Sequence, residues 1–273
     1  MTRYTYGQSQ SKVESVSIIL LLSLRLFQRT IGSKYRKSFL GYFWMVFPAL
    51  LITGAVSMAS GAGIINPGQF ELPYPLYVLM GTLIWQVFAE GVEIPYQAFE
   101  GARSYLTRVN FPRIAIILAQ SYEGLINAFV RVVLVLVIVA IFHKLTVFST
   151  GVIISGFLFA ACLGIGIGAV IAPFMLLFSD LHNFVKLGLG YGLFLTPAFY
   201  APSDGGIFSI IINANPLSPL MHGVRDAAAF GGMNSPWSFC IVALAALLLA
   251  TVGFALIRIS SPILIERMLI GGR

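Results

Sequence analysis

Two sets of polar side chains recur at helical spacing inside otherwise apolar segments. Gln86, Glu90, Glu93 and Gln97 stand at i, i+4, i+7 and i+11, so a helix places all four on one stripe. Gln120, Glu123, Asn127 and Arg131 form a second such face further along. An ionised side chain at the centre of a bilayer costs at least about 2.5 kcal/mol on insertion scales. These stripes should therefore avoid lipid, and either line a polar conduit or pack helix against helix. A structural seam, contact with a substrate and a proton relay all fit the residue types. An antiparallel hairpin turning near Tyr105 sets Glu90 level with Gln120 and leaves Arg131 about ten residues, or about 15 Å, beyond it. That register predicts no pairing between Glu90 and Arg131.

Other chemistry is sparse. His143, His182 and His222 fall in three separate expected loops, so no metal site is predicted. There is no Walker A sequence, nucleophile elbow or paired-Cys motif, and nothing supports catalysis in the chain. Cys162 and Cys240 both lie inside apolar runs, which speaks against a disulfide framework. Gly164, Gly166 and Gly168, with Gly188 and Gly192, sit at spacings that let helices approach closely. The Gly164 run lacks the strand context of a nucleotide-binding loop.

The elements that hold these residues follow from composition. The 273 residues are 58% hydrophobic and only 10% charged, with mean hydropathy +0.90. Soluble domains carry about 25% charged residues, so a water-soluble enzyme is close to excluded. The apolar runs are long and continuous, unlike the alternating segments of about 10 residues in an outer-membrane barrel. The expected fold is an all-α polytopic membrane protein with six transmembrane helices, at 39–61, 75–99, 112–142, 152–178, 184–201 and 236–259. These spans make one domain, 39–259, between a tail with an interface helix at 1–38 and a second tail at 260–273.

The net charge of +7 reads as cytoplasmic retention of basic residues, not as nucleic-acid binding. With the N-terminus inside, the external loops hold only Lys144 and Arg225, and Arg131 is within the third span. Every other Lys and Arg is cytoplasmic, which fixes an N-in, C-in arrangement with an even number of spans. No secretory signal is visible, because the first apolar run, 18–27, is short and broken by Ser23 and Arg25. Arg25, Arg29 and Arg36 share one helical face, so this region reads as an amphipathic helix at the cytoplasmic surface. Two short apolar pieces, 207–212 and 217–230, interrupt the external stretch 202–235. They are either re-entrant helices or parts of an ordinary folded loop.

Short blocks then carry a family resemblance. Arg29-Thr30-Ile-Gly-Ser-Lys34-Tyr35-Arg36-Lys37-Ser38-Phe-Leu40-Gly41, continuing through Trp44 to Pro48, resembles the signature entering the first span of ABC-type polysaccharide export permeases. Thr30 stands where that family commonly has an acid. Tyr74-Pro75-Leu76 through Gly81 and Trp85, Val109-Asn110-Phe111-Pro112-Arg113, and Thr196-Pro197-Ala-Phe-Tyr200 with Asn215-Pro216-Leu217 and Arg225 are similar to later family blocks. The terminal Ile265-Glu266-Arg267 agrees with its tail.

The resemblance implies a bacterial inner-membrane permease exporting a lipid-linked O-antigen, capsule or teichoic acid. A homodimer would work with two copies of a separate ATP-binding subunit. ATP and Mg would bind that partner, with no cofactor in this chain. The loop 100–111, with Glu100, Arg103, Arg108 and Phe111, would couple to the ATPase. Arg29, Lys34, Arg36 and Lys37 would meet the anionic head group of a polyprenyl diphosphate or glycolipid, unless they serve topology and membrane-lipid contact. Tyr42, Trp44, Trp85 and Tyr96 would stack on sugar rings or anchor at the membrane interface. The rival expectations are an ABC permease for a drug or small lipid, a membrane-embedded lipid-modifying enzyme using Glu90, Glu93 or Glu123, and a structural scaffold.

Overall fold

A computed structural model describes residues 12–34, 43–64, 70–106, 112–142, 145–200 and 207–270. In chain order the helices are α1 (Lys12–Lys34), α2 (Phe43–Gly61), α3 (Tyr74–Leu106), α4 (Arg113–Phe142), α5 (Val147–Leu177) and α6 (Ser179–Gly192). A 3₁₀ turn (Leu193–Leu195) follows, then α7 (Ile207–Ala214), α8 (Leu217–Phe230) and α9 (Pro236–Ile270). The described residues contain no strand.

Five helices, α2, α3, α4, α5 and α9, are long and apolar enough to cross a membrane. The expected span at 184–201 differs. Its helix starts earlier, at Ser179, and closes at Gly192 after 14 residues. At 1.5 Å per residue that is about 21 Å, short of a hydrocarbon core of about 30 Å. Thr196 precedes Pro197 and takes an extended conformation (φ −111°, ψ 146°), as a residue before proline prefers. The helix therefore stops well before Ala201.

Helix α5 is the axis of the bundle. A Cβ on Gly164 would lie 2.2 Å from the Phe88 carbonyl oxygen, and one on Gly168 2.2 Å from that of Val92, so α3 and α5 meet backbone to backbone. Gly166 points the other way, where a Cβ would lie 2.7 Å from the Ala250 amide of α9. These glycines are packing residues, as their spacing predicts. Gly192 meets the Trp85 ring, but Gly188 has nothing within 4 Å and its place in that pattern is corrected.

Helix α1 lies against α4. The Phe27 and Tyr122 rings meet edge to face at 5.7 Å, and buried Ser23 donates to the Tyr122 hydroxyl at 3.4 Å. Leu20, Leu21 and Leu24 stay exposed on the outward side. The pieces expected at 207–212 and 217–230 are the helices α7 and α8. Leu217, Leu220, Met221, Val224 and Ala227 of α8 are all buried. Helix α8 closes at Gly231, whose φ of 70° is left-handed and suits glycine. His182 and His222 lie within α6 and α8, not in loops, while His143 is outside the described residues.

Candidate functional site: a polar cavity among apolar helices

All eight residues of the two polar stripes line one open cavity of about 610 Å³. Helices α3 and α4 supply the stripes. Helix α2 adds Trp44, Met45, Pro48 and Ile52, and α6 with its following turn adds Lys186, Leu189, Gly190 and Leu193. Trp85 also lines it, its ring NH donating to the Leu189 carbonyl at 3.2 Å.

The deepest feature is an ion pair the hairpin register does not predict. The Arg131 guanidinium grips Glu90 with two nitrogens, Nη1 donating to Oε2 at 2.8 Å and Nη2 bonding Oε1. Nη2 also donates to the Met45 carbonyl at 3.3 Å, and Asn127 donates to the same carboxylate at 3.4 Å. The expected separation of Glu90 and Arg131 is thus corrected. Helix α3 runs on to Leu106 and α4 begins at Arg113, so Glu90 and Arg131 lie 16 and 18 residues from the facing helix ends and come level. The Arg131 side chain is 2% exposed and that of Glu90 39%. Bidentate geometry and low exposure are the conditions under which such a pair counts for most. Pro48 in α2 removes the bond to the Trp44 carbonyl and loosens the turn whose neighbouring Met45 carbonyl receives Arg131.

Nearer the α3–α4 turn, Glu93 Oε2 faces His182 Nε2 at 3.2 Å and accepts from Gln97 at 3.5 Å. The Tyr96 ring stacks on His182 at 3.8 Å. Tyr96 is not among the cavity-lining residues, unlike Trp44 and Trp85. Gln120 donates to Glu123 at 3.2 Å. Gln86 Oε1, Glu93 Oε1, Asn127 Oδ1 and Arg131 Nε are buried without a hydrogen-bond partner among the described residues. All four belong to the cavity wall. Buried polar atoms normally find a partner, so this wall suits a hydrated or hydroxyl-rich occupant.

A second cavity of about 480 Å³ lies beside Arg29 and Thr30 of α1, between α3 and α4. Gln97 and Gln120 line both cavities. Of the other basic candidates, the Lys34 side chain, Arg36 and Lys37 lie outside the described residues, as do Tyr42, Arg108 and Phe111. Glu100 and Arg103 form an exposed ion pair at 3.7 Å, one turn apart at the end of α3.

Away from the cavity, Arg225 of α8 is buried and ties three segments together. It donates to the carbonyls of Pro197 (2.7 Å), Tyr77 (3.0 Å) and Ala198 (3.1 Å), and lies over the Tyr77 ring at 3.4 Å. Burial lowers its pKa to about 10, which leaves it charged at neutral pH. Burial, and then the nearby Arg225 charge, push His222 down to about 4.

Sequence reasoning found both stripes from their periodicity. It missed Lys186 as part of the cavity and His182 as the partner of Glu93. The two stand at i, i+4, but in the sequence His182 reads as a loop residue ahead of the expected span at 184–201, so only the extent of α6 and its packing against α3 reveal them.

No family profile matches the chain. Among curated proteins it is similar to the O-antigen export system permease protein RfbA of Klebsiella pneumoniae, at 27% identity over 82% of this chain and 85% of the relative. It is also similar to the protein of the same name from Myxococcus xanthus, at 26% identity over 73% of this chain and 77% of the relative. Five apolar helices and two permease relatives make this a multi-pass membrane protein. The resemblance first read from short blocks is thus joined by similarity, over most of the molecule, to two proteins named as O-antigen export permeases.

Proposed function

We propose that this chain is the transmembrane subunit of an ABC transporter that exports a lipid-linked cell-surface polysaccharide across the bacterial inner membrane, with a separate ATPase supplying energy. The observation that carries the reading is the cavity of about 610 Å³. It is walled by carboxamides, carboxylates, a buried Arg and two tryptophans among apolar helices. A glycan needs such walls. Its hydroxyls satisfy amide and carboxylate groups, and its ring faces lie against aromatic side chains such as Trp44 and Trp85. The volume falls within the range of about 300–1,000 Å³ typical of ligand sites, so one chain holds a short stretch of polymer.

In this reading α6 together with the turn and extended segment 193–200 completes a sixth crossing, with Arg29 and the second cavity on the cytoplasmic side and α7–α8 as re-entrant helices at the exit. Basic residues of the α1 region attract an anionic diphosphate. Two copies enclose the conduit, and the end of α3 at Glu100 and Arg103 seats on the ATPase. The chain acts as a transporter subunit, its cavity carboxylates Glu90 and Glu93 facing Arg131 and His182.

Deletion of the chain in its host, with assay of surface glycan and of lipid-linked glycan inside, tests this. Loss outside with accumulation inside is expected. Unchanged surface glycan without build-up would favour a drug or small-lipid exporter. Loss outside without build-up would favour a synthetic enzyme.

A further inference from the structure

The cavity has a polarity of its own, set by which end of each polar group faces it. Glu90 and Arg131 are neutral as a pair, yet the carboxylate side chain is 39% exposed and the guanidinium side chain 2%. The cavity therefore meets the negative end, with the cation sealed behind it. Two nitrogens of Arg131 and the Asn127 amide take three of the roughly four acceptor sites of that carboxylate, which leaves one for an occupant. Because a carboxylate only accepts, Asn127 turns its amide nitrogen to Glu90 and its Oδ1 away, where that oxygen is buried and unpartnered among the described residues. Glu93 repeats the pattern one turn on. Its Oε2 meets His182 and Gln97, while its Oε1 is buried with no hydrogen-bond partner among the described residues, as is Gln86 Oε1. Of the four such orphan atoms on this wall three are acceptors, and the one donor, Arg131 Nε, belongs to the sealed cation. Glu123 adds a further carboxylate to the lining. The other lining cation among the described residues, Lys186, stands exposed on α6.

From this polarity we propose that the cavity selects by charge, taking neutral sugar residues whose hydroxyls donate hydrogen bonds and turning away residues that carry phosphate or carboxylate. A hydroxyl gives Glu90, Glu93 and the amide oxygens the donor they lack. The terminal torsions of Glu and Gln side chains are soft, so a small rotation presents their buried oxygens to the occupant. An anionic oxygen offers no donor, and it sets like charge beside like charge within apolar walls, where the repulsion is strong. Glu90 and Glu93 are thus specificity residues. The inference rests on the export reading and narrows its cargo to a polymer with an uncharged repeat, against one joined through phosphates. It concerns the repeating units and not the single diphosphate head group, which the basic residues of the α1 region meet.

The test uses the full chain in lipid nanodiscs at neutral pH. Trp237→Phe removes the exposed tryptophan outside the cavity, so that the fluorescence of Trp44 and Trp85 reports occupancy. The probes are hexagalacturonate and its full methyl ester, which share ring and linkage and differ in charge. The ester should bind at least about tenfold tighter than the acid. Glu90→Gln/Arg131→Met leaves the net charge of the chain unchanged but removes the exposed carboxylate. The gap should then narrow to about threefold or less, through tighter binding of the acid. Glu93→Gln, which keeps the ion pair, should narrow it too. Equal binding of acid and ester by the parent chain, or a preference for the acid, overturns the charge selection and leaves a glycan site. A gap unchanged in the folded variants overturns the role of these carboxylates. Quenching by neither probe rejects the glycan reading of the cavity and the selection with it. A tenfold gap in a chain whose deletion leaves surface glycan unchanged keeps the charge selection and rejects the export reading.

Discussion

Glu90 and Arg131 are chemically a symmetric pair but differ in surroundings, and that difference sets the size of each substitution. Glu90→Gln leaves Arg131, 2% exposed, with only neutral partners. Stranding a buried charge costs about 3–5 kcal/mol. Arg131→Met instead strands Glu90, whose side chain is 39% exposed toward the cavity, where water screens it. The expected loss is smaller, about 1–2 kcal/mol. The double variant Glu90→Gln/Arg131→Met strands neither charge and should lose no more than about 2 kcal/mol. The singles together should therefore overshoot the double by at least about 2–5 kcal/mol in a double-mutant cycle. Denaturant midpoints of the purified chain in mild detergent read all four corners. Additive losses, or an Arg131→Met variant weaker than Glu90→Gln, would refute this account of the pair.

Gly168→Ala places a methyl 2.2 Å from the Val92 carbonyl oxygen and should cost about 1–3 kcal/mol, whereas Gly188→Ala, in open space, should stabilise α6 slightly; thermal melts separate the two. His222 stays neutral down to about pH 4 in the folded chain, against an ordinary value of 6.5. Its contribution is therefore complete above pH 6.5 and is lost as pH falls toward 4, by about 3 kcal/mol at most. His222→Gln should flatten acid denaturation over that window. Trp85→Phe removes the donor to the Leu189 carbonyl and should cost about 1 kcal/mol, read as a lower thermal midpoint of the purified chain. Arg103→Glu reverses a charge at the exposed end of α3, and co-purification of the proposed ATPase subunit with the chain should fall about tenfold.

Periodicity and composition by themselves determined the helical class, four of the five long apolar helices with end errors of up to seven residues, and both polar stripes. Each depends on neighbours a few positions apart, and a helix maps sequence spacing directly onto a face. The other long helix, α9, starts where expected at Pro236 and runs past 259 to Ile270. The Arg29–Pro48 block and its companions were legible by resemblance to a family and not by periodicity. What the tertiary structure decided was register and approach. The Glu90–Arg131 pair depends on where α3 ends and α4 begins, and with those ends at Leu106 and Arg113 in place of a turn near Tyr105 the partner moves by about ten residues. Gly164 and Gly188 look alike in the sequence, yet one lies against the Phe88 carbonyl and the other faces open space. His182 meets Glu93 across 89 positions of chain. A contact of that kind has no local signature, because packing between helices brings it about and spacing along one helix does not.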